Sequence, residues 1–223
     1  MDLPNFKRLP RHIGVIPDGN RRWAMERGLN KEDGYSHGVD PGFQLYETCL
    51  ALGIEEMTFY GFTNDNTKRP VEQRIAFQRA CVDAVDILAH RDAALLVVGN
   101  AGSTMFPAEL KPYTTRQVFG RNLMKINFLV NYDWHWDISH ALQAGSHKGE
   151  SRKKLLESIA SADVSRIDLI IRWGGRRRLS GLLPLQSVYA DFYVLDDFWP
   201  AFELDHLWAA LRWYEEQDVT LGG

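Results

Sequence analysis

The chain has 223 residues, a formal net charge of −3, and 45% hydrophobic, 12% aromatic and 25% charged residues. That is enough for one domain with a substantial core, and the balance excludes a polybasic nucleic-acid binder and a disordered chain. The longest unbroken aliphatic run, Ala93 to Val98, is far too short to cross a bilayer, and the opening MDLPNFKRLP has proline and charge where a signal peptide needs an apolar stretch. The expectation is a cytoplasmic protein with no transmembrane segment. Cys49 and Cys81 stand apart, without CxxC spacing or histidine partners, which predicts reduced, buried thiols rather than a disulfide framework or a structural zinc site.

Short apolar runs alternate with stretches of helical period, the pattern of a mostly parallel sheet flanked by helices on both faces. In chain order the sequence predicts strand HIGVIP (12–17), helices near 20–28 and 40–52, strand EMTFYGF (56–62), helix 70–91, and strands ALLVVG (94–99) and KINFLVNY (125–132). Helices 134–144 and 151–162, strand IDLIIRW (167–173), strand DFYVLD (191–196) and helix 203–217 complete the α/β pattern. Asp40-Pro41 reads as an N-cap followed by proline at the first helical position, and Pro70 opens its helix in the same way. The polar segment Ala144 to Ser151 reads as a short loop. With no repeat, linker or low-complexity stretch, residues 1–223 read as a single domain.

In an open parallel sheet the ligand lies in the crevice beyond the carboxyl ends of the strands. Those ends carry Asp18-Gly19-Asn20-Arg21-Arg22, Thr63-Asn64-Asp65-Asn66, Asn131-Tyr132-Asp133 and the run Arg172-Trp173-Gly174-Gly175-Arg176-Arg177-Arg178. A helix entered through a Gly turn offers free backbone N–H groups to an anion, and Arg21 or Arg22 can grip phosphate bidentately. An equally good reading of DGN alone is a tight turn in which Asp18 caps the helix. In RWGGRRRLS (172–180) four arginines fall within seven residues around a Gly pair. Such a concentration repels itself unless anions neutralise it, and a diphosphate supplies several charge-assisted bonds.

Few acids accompany these cations: Asp18, Asp65 and Asp191. A carboxylate among arginines suggests Mg²⁺ bridging phosphates, since that ion takes one or two carboxylates plus phosphate oxygens and waters. Asp191 reads equally as a strand-edge acid or a salt-bridge partner. His135 and His140 are off the i, i+4 same-face spacing and form no HExxH, so they read as structural. Trp199, Trp208 and Trp213 read as core or subunit interface.

The segments HIGVIPDGNRRWA (12–24), FYGFTNDNTKRP (59–70), VNYDWHWDI (130–138) and IDLIIRWGGRRRLSGLLPLQSVYADFYVLDDFWPAF (167–202) resemble, in order and along almost the whole chain, the undecaprenyl diphosphate synthase or cis-prenyltransferase family. The resemblance implies a homodimer whose subunits have a six-stranded parallel sheet and a hydrophobic tunnel between helices and sheet. It makes Asp18 the residue that binds Mg²⁺ and assists departure of the allylic diphosphate. Gly19, Asn20, Arg21, Arg22 and Trp23 correspond to the diphosphate-cradling block, joined by Lys31 and Arg69. Asn66 matches the polar residue beside the reacting carbons, with Asp65 next to it. Arg172, Arg178 and Ser180 match the second diphosphate site, and Asp191 stands where the family has a metal-binding Glu.

The chain also departs from the family pattern. Pro17 replaces a Met, Tyr35 a His and Thr67 a Trp; Arg176 and Arg177 replace an acidic and a neighbouring position; Thr220-Leu221-Gly222 stands for an Arg-x-Gly element. This drift, near the second substrate, resembles the branch of the family that joins two allylic diphosphates head to middle, as lavandulyl-type synthases do. The resemblance therefore implies coupling of short isoprenyl diphosphates to a branched product. The alternatives are cis elongation with isopentenyl diphosphate, a non-catalytic partner subunit, and a phosphate-ligand binding protein without turnover.

Overall fold

The computed structural model describes residues 3–143 and 152–218. The polar segment predicted at 144–151 and the Thr220-Leu221-Gly222 element lie outside them. Seven strands form one sheet, β1 (His12–Ile16), β2 (Glu56–Tyr60), β3 (Ala93–Val98), β4 (Gln117–Val118), β5 (Met124–Leu129), β6 (Leu169–Arg172) and β7 (Asp191–Val194), in the order β4-β3-β5-β2-β1-β6-β7. Six pair in parallel as expected, and the seventh is the two-residue β4, antiparallel on the β3 edge. Two exposed residues without apolar alternation leave no strand signal in the sequence, which is why six strands were expected.

The helices are α1 (Asn20–Glu26), α2 (Asp33–Ser36), α3 (Val39–Ala51), α4 (Val71–Leu88), α5 (Trp134–Gln143), α6 (Arg152–Ser158) and α7 (Leu204–Glu215). Pro70 is the N-cap of α4 rather than its first helical residue. The start of α3 lies earlier than expected: Gly38 is the N-cap, so Asp40 sits in the first turn and Pro41 follows it there, where no intrahelical N–H bond is lost.

The strands alternate between two apolar layers. Ile13, Val15, Met57, Phe59, Leu95, Val97, Ile126, Phe128, Leu169 and Ile171 form one core with Leu45, Val85 and Leu211 of α3, α4 and α7. Ile16, Leu96, Val98, Leu129 and Ile170 form the other, with Val164, Leu182 and Leu183. Both cysteines are buried and unpaired, and burial pushes the Cys81 thiol up to about 12. Among the described residues no helix is long and apolar enough to cross a membrane.

Strand order fixes where a ligand can enter. Chain order runs outward from β1 through β2 on one side and through β6 and β7 on the other. The segment after β1 leads to α3 on the first core face, while the segment after β6 packs Leu182 and Leu183 into the second. Adjacent strands whose continuations part to opposite faces leave a crevice between them at their carboxyl ends. Asp18 follows β1, and Arg172 ends β6.

Candidate active site

After β1 the chain makes a tight turn: the Asp18 N–H donates to the Ile16 carbonyl and the Asn20 side-chain amide donates to the Pro17 carbonyl. Gly19 is the N-cap of α1 at φ 102°, and a Cβ there would meet Phe198 at 2.5 Å, so only glycine fits. No side chain caps α1. The Asp18 carboxylate instead accepts from the Gly19 N–H at 2.6 Å, from Arg172 Nη2 at 2.9 Å, and faces Arg22 Nη2 at 3.5 Å. It is a half-buried anion between two guanidinium groups.

The loop after β6 bends through Gly174 (φ 83°) and Gly175 (φ 71°), whose N–H groups donate to the Asp197 and Leu195 carbonyls. Ser180 also has a left-handed backbone, at φ 55°, and is held from two sides. Arg172 Nη1 donates to its Oγ at 2.8 Å, and the Tyr60 hydroxyl donates to its carbonyl at 2.6 Å. Burial raises the Tyr60 pKa, as does the nearby Asp65, so the phenol stays protonated and able to donate.

These elements enclose a cavity of about 530 Å³. Seven cationic side chains line it, Arg21, Arg22, Lys31, Arg69, Arg172, Arg176 and Arg178, against two carboxylates, Asp18 and Asp65. Asp65 already pairs with Lys68 at 2.7 Å. Gly19, Asn20, Tyr35, Asn66 and Ser180 also line the cavity. Tyr35 stacks on Phe77 at 4.6 Å between centroids and accepts from Arg69 at 2.6 Å, while Asn66 Oδ1 accepts from the Thr63 N–H. Residues as far apart in sequence as Asp18 and Ser180 thus converge on one anion-binding space.

Below it lies an apolar room of about 80 Å³, with Pro17, Asn20, Tyr35, Gly61 and Phe77 common to both linings. Phe43, Ala84, Leu88 and the pair Phe59 and Phe128, stacked at 5.3 Å, close it between α3, α4 and the sheet. This room lies where the hydrophobic tunnel was expected, between helices and sheet.

Three of the expected site residues are not brought in. Trp23 faces away from the cavity and is buried between His37 and the Arg27 guanidinium, at 4.8 and 4.4 Å. Arg177 does not line the cavity, although its equally exposed neighbours Arg176 and Arg178 do. Asp191 opens β7 in register with Leu169, at the amino end of the strands, where burial raises its pKa and its electrostatic neighbours are Arg8 and Asp168. Within one subunit it therefore cannot share a metal with Asp18. Conversely, Tyr60, Met25 and Phe77 line the cavity without having been singled out. For Tyr60 the signal was present, since it ends β2 on the same face as Thr58.

Among the described residues no group of three or more His, Cys, Asp or Glu side chains could cage a metal. The lone Asp18 carboxylate beside an anion-binding cavity suits a hard cation that takes most of its ligands from phosphate oxygens and water.

Residues 16–222 match the family described as putative undecaprenyl diphosphate synthase. A ditrans,polycis-undecaprenyl-diphosphate synthase ((2E,6E)-farnesyl-diphosphate specific) of Vibrio parahaemolyticus is 31% identical, over 96% of this chain and 91% of that one. A trans,polycis-polyprenyl diphosphate synthase ((2Z,6E)-farnesyl diphosphate specific) of Thermobifida fusca is 32% identical, over 96% and 81%. In structure, lavandulyl diphosphate synthase from Lavandula x intermedia, solved with dimethylallyl diphosphate, superposes with a TM-score of 0.83 at 22% identity, covering 96% of this chain and 98% of that one. With the family matched across nearly its whole length, the chain belongs to the undecaprenyl diphosphate synthase family and is a prenyltransferase.

Proposed function

We propose that this prenyltransferase joins two short isoprenyl diphosphates, and that it does so head to middle between allylic units such as dimethylallyl or geranyl diphosphate, giving a branched diphosphate. The observation that carries the reading is the pairing of a seven-cation cavity of about 530 Å³ with an apolar room of only about 80 Å³. Seven cations against two carboxylates suit two diphosphates. At about 80 Å³ the apolar room is roughly half the ~150 Å³ cavity that holds a benzene-sized molecule, so it favours a short hydrocarbon unit over a growing chain. The second reading, cis elongation with isopentenyl diphosphate, draws on the names of the relatives.

In this mechanism the donor diphosphate lies on Gly19, Asn20, Arg21 and Arg22, with Lys31 and Arg69 beside it. Their fixed positive charge meets the negative charge that grows on the leaving diphosphate as the C1–O bond breaks, the kind of preorganised stabilisation worth roughly 10²–10³ in rate per group. Asp18 would hold Mg²⁺ against the same diphosphate, and the ion when bound supplies Lewis-acid neutralisation of that oxygen charge. Arg172, Arg176, Arg178 and Ser180 bind the second diphosphate and aim its double bond at the donor C1. The new carbon–carbon bond forms from that π pair, and the proton then lost passes to the departing diphosphate or to a polar side chain near Asn66. Tyr35, Phe77 and the aromatic wall below keep water from the cation.

We propose further that two subunits associate. Support comes from large apolar side chains left exposed in a single subunit, among them Leu142 of α5 and Val188.

The test is product analysis. The purified protein with Mg²⁺ is given dimethylallyl, geranyl and isopentenyl diphosphates singly and in pairs, and the dephosphorylated alcohols are identified. A branched alcohol built from allylic units alone is expected. Linear cis chains that grow with isopentenyl diphosphate would overturn the head-to-middle assignment.

A further inference from the structure

One residue spans both anion sites. Arg172 is 3% exposed, and its guanidinium is split between two loops. Nη2 donates to Asp18 Oδ2 at 2.9 Å in the turn after β1. Nη1 donates to Ser180 Oγ at 2.8 Å and to the Arg178 carbonyl in the loop after β6. Its Nε is buried without a partner. The carboxylate that now neutralises this buried cation is the same one proposed above to hold the metal.

A buried guanidinium left without an anion is strongly disfavoured, and a carboxylate oxygen cannot serve a guanidinium and a metal cation at full strength together, because the two cations repel. An acceptor diphosphate offers Arg172 a replacement anion. We infer that Arg172, besides binding the acceptor, couples the two sites: metal on Asp18 releases Arg172 to the acceptor anion, and an acceptor anion on Arg172 releases Asp18 to the metal. The inference rests on the two-diphosphate reading. It makes metal and acceptor bind with positive cooperativity, and linkage requires the factor to be the same in both directions. The fork geometry is essential, since a lysine ammonium keeps the charge but is a single point donor that cannot bridge Asp18 and Ser180.

The experiment measures Mn²⁺ affinity by electron paramagnetic resonance with and without isopentenyl diphosphate, which carries the diphosphate but is not allylic and does not ionise. The affinity of isopentenyl diphosphate is measured in turn with and without Mn²⁺ by calorimetry. In the wild-type protein each ligand is expected to tighten the other by the same factor, roughly tenfold. In Arg172→Lys each ligand still binds alone and the factor falls to about one. Arg178→Gln, which removes a charge from the same cavity without touching Asp18, weakens the anion but keeps the factor. A wild-type factor near one with both ligands bound overturns the coupling while leaving the functional reading intact. The same factor in Arg172→Lys, as direct contact between metal and anion would give, also overturns it. Failure of Mn²⁺ to bind the wild-type protein, with or without the anion, overturns the assignment of a metal to Asp18 and the coupling with it.

Discussion

His12, Glu56, Thr58 and Asn127 lie on the sheet face whose carboxyl end carries Tyr60 and Arg172, so one surface holds two buried polar clusters, one toward each end of the strands. In the first, every group is answered. Arg116 donates to Asn127 Oδ1, and the Asn127 side-chain amide donates to Glu56 and to Thr58. Two backbone carbonyls, those of Ser165 and Arg166, face His12 Nδ1, which must therefore carry the ring proton. Nε2 then accepts from the Thr58 hydroxyl at 2.8 Å. In the second cluster the Arg172 Nε has no partner and cations outnumber carboxylates seven to two. A closed network fixes a fold, whereas an open, charge-unbalanced one awaits a ligand.

Replacing members of either cluster tests that contrast. The largest effect is expected for Glu56→Ala, which strips the Ser165 N–H of its acceptor and Asn127 of one of its two, and leaves Asp163 as the carboxylate that faces Arg116. It should cost about 3–5 kcal/mol of stability, read by denaturant unfolding, with the KM values of the surviving enzyme unchanged. Altered KM at intact stability would show that the closed cluster serves the site.

Asp18→Asn should do the reverse. The amide keeps an acceptor for Gly19 and Arg172 but loses the charge that neutralises the buried guanidinium, so turnover should fall by roughly 10²-fold or more, with a loss of stability smaller than that of Glu56→Ala because a hydrogen-bonded partner remains. Near-wild-type turnover would remove Asp18 from the mechanism.

The smallest effect is a pH dependence. Burial lowers the His12 pKa, only partly opposed by Glu56 and the two carbonyls, so the unfolded chain takes up this proton at a higher pH than the folded one. Stability from this group is therefore full above about 6.5 and is lost as pH falls below it. Glu56, whose pKa is lowered by His12 and by bonds from Ser165 and Asn127 despite its burial, extends the loss to lower pH. Each pH unit over which the two states differ by one proton is worth about 1.4 kcal/mol. Thermal melts between pH 7.5 and ~5 should show the decline, and His12→Gln should flatten its upper part. A flat wild-type profile would refute the neutral, closed network.

The contrast also explains what the sequence could disclose. The second cluster was legible because it is built of contiguous motifs at strand ends: DGNRR after β1 and RWGGRRR after β6 both end in the cavity. The closed cluster was not legible. Apart from Glu56 and Thr58 on β2 its members stand on separate segments, and strand register brings His12 beside Glu56 and Thr58 beside Asn127. The same limit applied to Asp191, Trp23 and Arg177. A local motif says that a residue is near a turn, but not whether its side chain faces the cavity, the core or solvent.

The pairing of Gly19 with Phe198 bears on whether the DGNRR turn is transferable. The Phe198 ring fills the space where a Cβ at position 19 would lie, and its face also carries the Arg22 guanidinium at 4.8 Å. The turn after β1 is thus moulded by a ring that enters the chain 179 residues later, beyond the last strand. Grafted alone onto another βα junction, those five residues would bring their charges but not the surface that gives them shape. Any chimera that exchanges the first and last thirds of this chain with those of a relative must keep positions 19, 22 and 198 from one parent.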